Sequence, residues 1–389
     1  MLSIILSFCV ALVVTMLIVK FAKSMKSMLD NDLDGVQKIH AVPVPRIGGL
    51  GIFIAALVGA LVVYLRAPLA GMWIVFLVCC AVPAFGAGIV EDFTKRVSPA
   101  QRLLFTMLAA AIAYFVLDAA IIRTGNEMVD QVLGYAWVSL PLTIFAIAGV
   151  ANAVNIIDGF NGLAGAVTMF MLLSLAYVAH SVGDLYVMSA ALIMVGAIAG
   201  FFIWNYPHGM IFMGDGGAYF IGFMLAELAV LLVARNPQVS PWYVVLLLIY
   251  PVVETIFSIY RRKIIRGVSP GLPDGVHLHM LIFKRMVRWT IGAKDAREVT
   301  RRNSRTSPYL WLLSLMAVIP ATLLWSHTVP LSILCVLFVA TYVWLYAKIV
   351  RFNVPGYLRP RKRTGKKVRL PPAANEPEMV AETKVSQGG

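Results

Sequence analysis

The chain is short of charge, and shortest of negative charge. Only 13% of its 389 residues are charged, and 33 Lys plus Arg outnumber 19 Asp plus Glu. A soluble domain carries about 25% charged and about 45–50% apolar residues. Here 60% of residues are hydrophobic and the mean hydropathy is +0.83, which excludes an ordinary soluble domain. Cysteine is scarce as well. Cys9, Cys79, Cys80 and Cys335 all lie in apolar runs, with neither the spacing of a metal site nor that of a disulfide framework, and read as packed thiols. There is no zinc-finger spacing and no interleaving of basic with aromatic residues. The net charge of +14 therefore points to a membrane surface and not to nucleic acid. No internal repeat emerges from comparing the apolar runs. The opening run has no basic leader and no small-residue cleavage signal, and Lys20, Lys23 and Lys26 follow it. That pattern predicts an uncleaved first span with its N-terminus outside.

Long apolar runs are what the chain has in abundance. A span needs about 20 such residues. Eleven stretches qualify: roughly 2–20, 48–65, 71–90, 103–122, 135–152, 163–181, 185–204, 217–234, 241–260, 308–325 and 329–350. The expected fold is an all-α polytopic integral membrane protein of about 11 transmembrane helices, N-terminus outside and C-terminus cytoplasmic. The cytoplasmic segments are then about 20–47, 91–102, 152–162, 205–216, 261–307 and 351–389. They hold 29 of the 33 Lys and Arg; Arg66, Arg123 and Arg235 fall outside, and Lys348 lies in the last span. This is a strong positive-inside asymmetry. Residues 1–350 read as one membrane-embedded domain. The basic tail 351–389, rich in Pro, Glu and Ala, reads as disordered. Leu281 to Ile291 mixes apolar and basic residues and fits either a helix along the membrane surface or an ordinary loop helix.

The polar residues cluster on one side of that topology. Asn152 to Ala164, NAVNIIDGFNGLA, lies between two spans yet carries three Asn, one Asp and two Gly. Irregular polar backbone at a membrane boundary is tolerated only where it is buried in protein or lines a wet cavity. Asn152, Asn155 and Asp158 recur every third residue and would share a helical face. Gly159 and Gly162 allow a turn and close ligand approach, and Asn161 adds an amide. Three polar residues on one face exceed what helix capping needs. Glu91 and Asp92 follow the third span directly; adjacent carboxylates there bind a cation or a proton, or are solvated beside Lys95 and Arg96. Gly214-Asp215-Gly216-Gly217 opens the eighth span, where Asp215 could hold Mg²⁺ or simply cap the helix. Lys38 and Arg46, in KIHAVPVPRIGG, could contact phosphate or merely flank a span. His277 and His279, in PDGVHLHM, could face phosphate, handle protons or sit on the surface. Together these groups form the equipment for positioning a pyrophosphate.

At this point the chain resembles the polyprenyl-phosphate N-acetylhexosamine-1-phosphate transferases, glycosyltransferase family 4. The motifs NAVNIIDGFNGLAG and IFMGDGGAYFIGF carry the resemblance, supported in order by KIHAVPVPRIGG and HLHM, over roughly Lys38 to Met280. The resemblance implies transfer of N-acetylhexosamine-1-phosphate from a UDP-sugar to a polyprenyl (undecaprenyl) phosphate, with release of UMP. It implies Mg²⁺, with Mn²⁺ as a substitute, and work at the cytoplasmic face of a bacterial inner membrane. It implies Glu91-Asp92 as the acidic pair at the lipid phosphate, Asp215 as metal ligand with Asp92 and Asp158 as further candidates, and Asn152, Asn155, Asp158 and Asn161 around the nucleotide. Lys38 and Arg46 become phosphate contacts, and His277 and His279 a catalytic pair. A homodimer is compatible with it. Three departures stand out: Glu91 replaces a usual Asp, Asn161 replaces a second Asp, and Met280 replaces a third His. A surface-polysaccharide branch is preferred over the phospho-MurNAc-pentapeptide branch. A transporter or lipid flippase is the competing class, since intramembrane acids and Gly-broken helices also mark transport paths.

Overall fold

Each long apolar run becomes a helix, because a chain without water around it must satisfy every backbone N–H and C=O within the segment. The computed structural model describes residues 1–22, 29–30, 44–265, 267, 275–287 and 296–351. Lys38 and the tail from 352 lie outside the described residues, as do residues 288–291 of the Leu281 to Ile291 stretch.

The helices are α1 (Leu2–Ala22), α2 (Gly48–Arg66), α3 (Pro68–Cys80), α4 (Val82–Thr94), α5 (Pro99–Val116), α6 (Glu127–Leu133), α7 (Ala136–Ile157) and α8 (Leu163–Ser181). They continue with α9 (Leu185–Asn205), α10 (Gly214–Arg235), α11 (Pro241–Leu247), α12 (Ile249–Tyr260) and α13 (Leu278–Leu281). Two long helices follow, α14 (Ala296–Leu323) and α15 (Thr328–Arg351). Wider π-type turns follow α12 and α13, at Arg261–Ile265 and Ile282–Val287. The only sheet pairing among the described residues is two residues long, Leu29–Asp30 against Val44–Pro45.

Among the described residues nine helices are long and apolar enough to cross a membrane, and two bent pairs raise the number to eleven. The expected third span is α3 plus α4, bent by 42°, and the ninth is α11 plus the helix from Ile249, bent by 67°. Proline explains both breaks. Pro83 and Pro251 have no N–H to offer the carbonyls of Cys79 and Leu247 four residues back, so the ladder is interrupted there.

Several boundaries differ from the sequence reading. α7 runs to Ile157, past the expected end of its span at 152, so Asn152 and Asn155 lie on the helical face expected of them and Asp158 follows as C-cap. α4 runs to Thr94, which puts Glu91 and Asp92 in its last turn. α5 starts at Pro99 behind a Ser98–Gln101 capping box and ends at Val116, short of 122. α14 takes in Arg301, Arg302 and Arg305, which the sequence assigned to a loop. Where a helix overruns the expected span, polar and apolar residues alternate at helical spacing past the edge of the purely apolar run, and the helix follows the spacing; the C-terminal end of α5 instead stops before Asp118, at a residue of positive φ.

α10 is the axis of the bundle. Its side chains are buried without interruption from Gly216 to Leu232. It packs on α2, α4, α7 and α8. Small residues let these backbones touch: a Cβ at Gly49 of α2 would collide with the Gly217 backbone, and one at Gly88 of α4 with the Gly216 backbone. Between helices in lipid such contacts replace the hydrophobic drive available in water. They bring the start of α10 against the end of α4.

Candidate functional site

The first turn of α10 collects most of the predicted residues. Gly214 begins the helix at φ +76, a left-handed conformation that favours glycine. A Cβ there would also strike the Arg46 carbonyl and the Asp92 carboxylate. The preceding residue, Met213, gives the helix no side-chain cap. Asp92 supplies one from α4: its Oδ1 accepts the Asp215 N–H at 2.8 Å and its Oδ2 the Gly216 N–H at 2.9 Å. Those are the second and third helical N–H groups, the ones a helix's own N-cap side chain would normally satisfy. The segment before α2 is laced to the same loop, with Phe212 N–H on Pro45 O at 2.8 Å and Gly49 N–H on Met213 O at 2.8 Å.

Asp215 is the hub. Its Oδ1 accepts from Asn155 Nδ2 at 2.7 Å, and its Oδ2 is paired with Arg102 of α5. One turn on, Tyr219 donates to Asn152 Oδ1 at 3.1 Å, and the Arg102 guanidinium lies 5.8 Å from the Tyr219 ring centre. The geometry is a ladder. Asn152 and Asn155 are three apart on α7, Asp215 and Tyr219 four apart on α10, and such pairs face a neighbour together. Asp158 ends α7 as its C-cap residue. Among the described residues its carboxylate has no hydrogen-bond or ion-pair partner. Burial and then the Asp215 charge push the Asp158 carboxyl up to about 7, against the opposing pull of Arg46.

The other predicted residues go elsewhere. Glu91 turns into its own loop, where Oε2 accepts the Val97 N–H at 2.7 Å. It does not join Asp92 at α10. Asn161 is 3% exposed and ties the central loop to α14: its N–H meets Asn303 Oδ1 at 2.8 Å, its Nδ2 meets Ser304 Oγ at 3.3 Å, and its carbonyl accepts from Ser307 at 2.6 Å. His277 and His279 are buried, with their rings stacked 5.1 Å apart. Their Nδ1 atoms lie 3.3 and 3.9 Å from Oε1 of Glu254 on α12. The His279 ring meets Phe160 edge-on, and its Nε2 is the atom nearest to where a Gly159 side chain would begin. His279 thus reaches the central motif at Gly159 and Phe160.

Arg102, Tyr219 and Glu254 were missed in the sequence. Arg102 was absorbed into the positive-inside asymmetry, and Tyr219 into a span. Glu254 did leave a signal: an acid inside an apolar run, VVETIF, is a functional pointer by default.

Among the described residues no three His, Cys, Asp or Glu side chains converge into a closed metal cage. The donor set fits a looser arrangement. Mg²⁺ is commonly held by one or two carboxylates, with water and substrate phosphates completing its shell. Asp215 and the unpartnered Asp158 are hard oxygen donors whose mutual repulsion a cation would relieve.

Comparison with known proteins places the same region of the chain in context. Residues 73–233 match the model of glycosyl transferase family 4. A probable undecaprenyl-phosphate N-acetylglucosaminyl 1-phosphate transferase of Bacillus subtilis (strain 168) is 25% identical over 360 residues, 90% of this chain and 92% of the relative. A decaprenyl-phosphate N-acetylglucosaminephosphotransferase of Mycobacterium tuberculosis is 28% identical over 305 residues, 68% of this chain and 72% of the relative. A phospho-N-acetylmuramoyl-pentapeptide-transferase of Caldicellulosiruptor bescii is 29% identical over 246 residues, 59% of this chain and 74% of the relative. The matched region contains α4, α5, α7 and the start of α10, and over it the chain is similar to the glycosyl transferase family 4 proteins.

Proposed function

We propose that this protein transfers an N-acetylhexosamine-1-phosphate from a UDP-sugar to a membrane polyprenyl phosphate, releasing UMP and leaving a polyprenyl-pyrophosphoryl sugar. The observation that carries the reading is the convergence on Asp215 of Asn155, Arg102 and, through the helix start, Asp92. The site opens at the cytoplasmic face of a bacterial inner membrane, with the N-terminus outside; the 29-to-3 distribution of Lys and Arg supports that orientation.

The residues divide the work by charge. Arg102 and Arg46 put positive charge where a pyrophosphate would lie. Asn152, Asn155 and Asp158 line one side and orient the nucleotide sugar. Lys38 and the His277–His279 pair are further phosphate contacts. A Mg²⁺ held by Asp215 with Asp158, or Mn²⁺ in its place, would neutralise the pyrophosphate and the UMP leaving group. The acceptor phosphate attacks the β-phosphate of the donor. Its second pKa is near about 6, so it is already largely ionised at pH 7 and needs no strong base. Both oxygens of Asp92 are occupied by backbone N–H groups, which supports an ordering role for Asp92 over proton removal.

The test is UMP release by the purified full-length protein. It should require a polyprenyl phosphate, a divalent cation and a UDP-N-acetylhexosamine together. A transporter or flippase would release no UMP. Release only with the UDP-muramoyl-pentapeptide donor would move the assignment to the pentapeptide branch.

A further inference from the structure

Glu254 is 1% exposed, inside an apolar helix, and it is not an isolated acid. Its Oε1 accepts the Leu278 N–H at 2.8 Å, which fixes the residue between the two histidines. The same oxygen lies 3.3 Å from Nδ1 of His277 and 3.9 Å from Nδ1 of His279. One carboxylate oxygen therefore bonds the middle residue of the H-L-H motif and lies beside the Nδ1 atoms of the two histidines that flank it. The two imidazoles are stacked, tilted by only 8°, on the same side of that carboxylate. Ring orientation follows. With Nδ1 directed at Glu254, the His279 Nε2 points away from α12, toward Gly159 and the turn that carries Asp158. Phe160 closes on the His279 ring edge-on, with centroids 5.4 Å apart, and on Phe283 at 5.5 Å, so the ring has little room to rotate.

We infer that Glu254 is a positioning residue for the transfer reaction: from within the membrane-spanning bundle it fixes the orientation of His277 and His279, and so presents His279 Nε2 to the Asp158–Gly159 turn. The inference rests on the proposed transferase reading for what the histidines then do. Its geometric part stands apart from that reading. The hold on His279 runs through the backbone: Glu254 fixes the Leu278 N–H next to it, while the carboxylate charge lies on the Nδ1 side of both rings. Gly159 belongs to the arrangement, because a side chain there would begin against His279 Nε2.

The experiment uses the full-length protein in detergent with Glu254→Gln, Glu254→Ala, His279→Ala and the Glu254→Gln/His279→Ala double variant. The first readout is hydrogen exchange in peptides covering Val276 to Phe283, which needs no turnover. Glu254→Ala should raise exchange there by about tenfold while leaving α4 and α10 unchanged; unchanged exchange in the histidine turn overturns the inference. The second is UMP release. Glu254→Gln should lower kcat by about tenfold or more, with KM for the UDP-sugar within about threefold of wild type. In the His279→Ala background the same change should cost less than about threefold, since Glu254 acts through that ring. A full and independent loss in the double variant, or an effect confined to KM, also overturns it. If wild type releases no UMP with any donor, the transferase reading fails, and exchange alone decides whether Glu254 positions the histidines.

Discussion

Replacing Asp92 by Asn is the sharpest probe of how the site is built. The carboxylate presents two acceptors to two helix N–H groups, at 2.8 and 2.9 Å. An amide has one carbonyl oxygen, so its NH₂ would face a second N–H donor and one of these groups goes unsatisfied. A hydrogen bond to a charged group contributes about 1.5–3 kcal/mol. The interaction of a carboxylate with a helix start adds about 0.3–1 kcal/mol. The combined loss is about 2–4 kcal/mol, and Asp92 is only 8% exposed, so water does not make it good. Expressed fully at Asp215, at about 1.4 kcal/mol per tenfold, it lowers turnover between about 30-fold and several hundredfold. The assay pairs UMP release with thermal unfolding in detergent. Turnover and unfolding temperature should fall together in Asp92→Asn. Glu91→Gln is the control: its amide oxygen still accepts the Val97 N–H, and turnover should stay within about threefold. An Asp92→Asn protein that melts like wild type but has lost turnover would refute the capping argument and make Asp92 a direct participant in the chemistry.

Asp215→Asn keeps the shape of the hub but removes the charge that pairs with Arg102; turnover should fall by about 10²-fold or more, and more than a tenth of wild-type activity would make Asp215 a structural residue only. Asp158 has its folded-state carboxyl raised from 3.8 to about 7, so ionising it disfavours the fold: its contribution is fully favourable below about 3.8 and is lost as pH rises to about 7. Asp158→Asn should therefore flatten the fall in stability across that window, read as unfolding temperature against pH; an unchanged slope would mean that Asp158 is not in this environment. Asn161→Ala removes contacts to Ser304 and not to the Asp215 cluster, so it should lower thermal stability while KM for the UDP-sugar stays within about threefold; the reverse result would return Asn161 to the nucleotide site. In a cysteine-free background, cysteine placed at exposed Ala100 should need a membrane-permeant reagent and cysteine at exposed Met128 should not, and the opposite pattern would invert the proposed orientation.

The number of spans was legible because a bilayer imposes a length on every apolar run, and even the bends at Ala81 and Leu248 lie beside visible prolines. The convergence of Asn155 with Asp215 was legible only in outline. Both sat in polar interruptions assigned to one face, but that they share a hydrogen bond depends on how α7 crosses α10, which no local pattern encodes. Glu91 and Asp92 look equivalent in sequence. They diverge because successive residues on a helix point about 100° apart, so only one can reach α10. The contacts of Asn161 were hidden for a related reason: an amide inside a catalytic-looking motif serves a buried turn equally well, and its partner α14 lies more than a hundred residues on. Arg102 was hidden by its usefulness as a topology charge. Each of these cases concerns which way a side chain points once two distant helices meet.

The central claim is that this chain joins a sugar-1-phosphate to a polyprenyl phosphate, and the lipid product tests it most directly. Purified protein would be incubated with undecaprenyl phosphate, a divalent cation and each of several UDP-, GDP- and CDP-sugars, and the lipids analysed by mass spectrometry. The account predicts a polyprenyl-pyrophosphoryl N-acetylhexosamine that appears with a UDP-N-acetylhexosamine, in step with UMP, and is lost in Asp215→Asn. A lipid product formed only from GDP- or CDP-sugars, or none from any donor with folded protein, would contradict it.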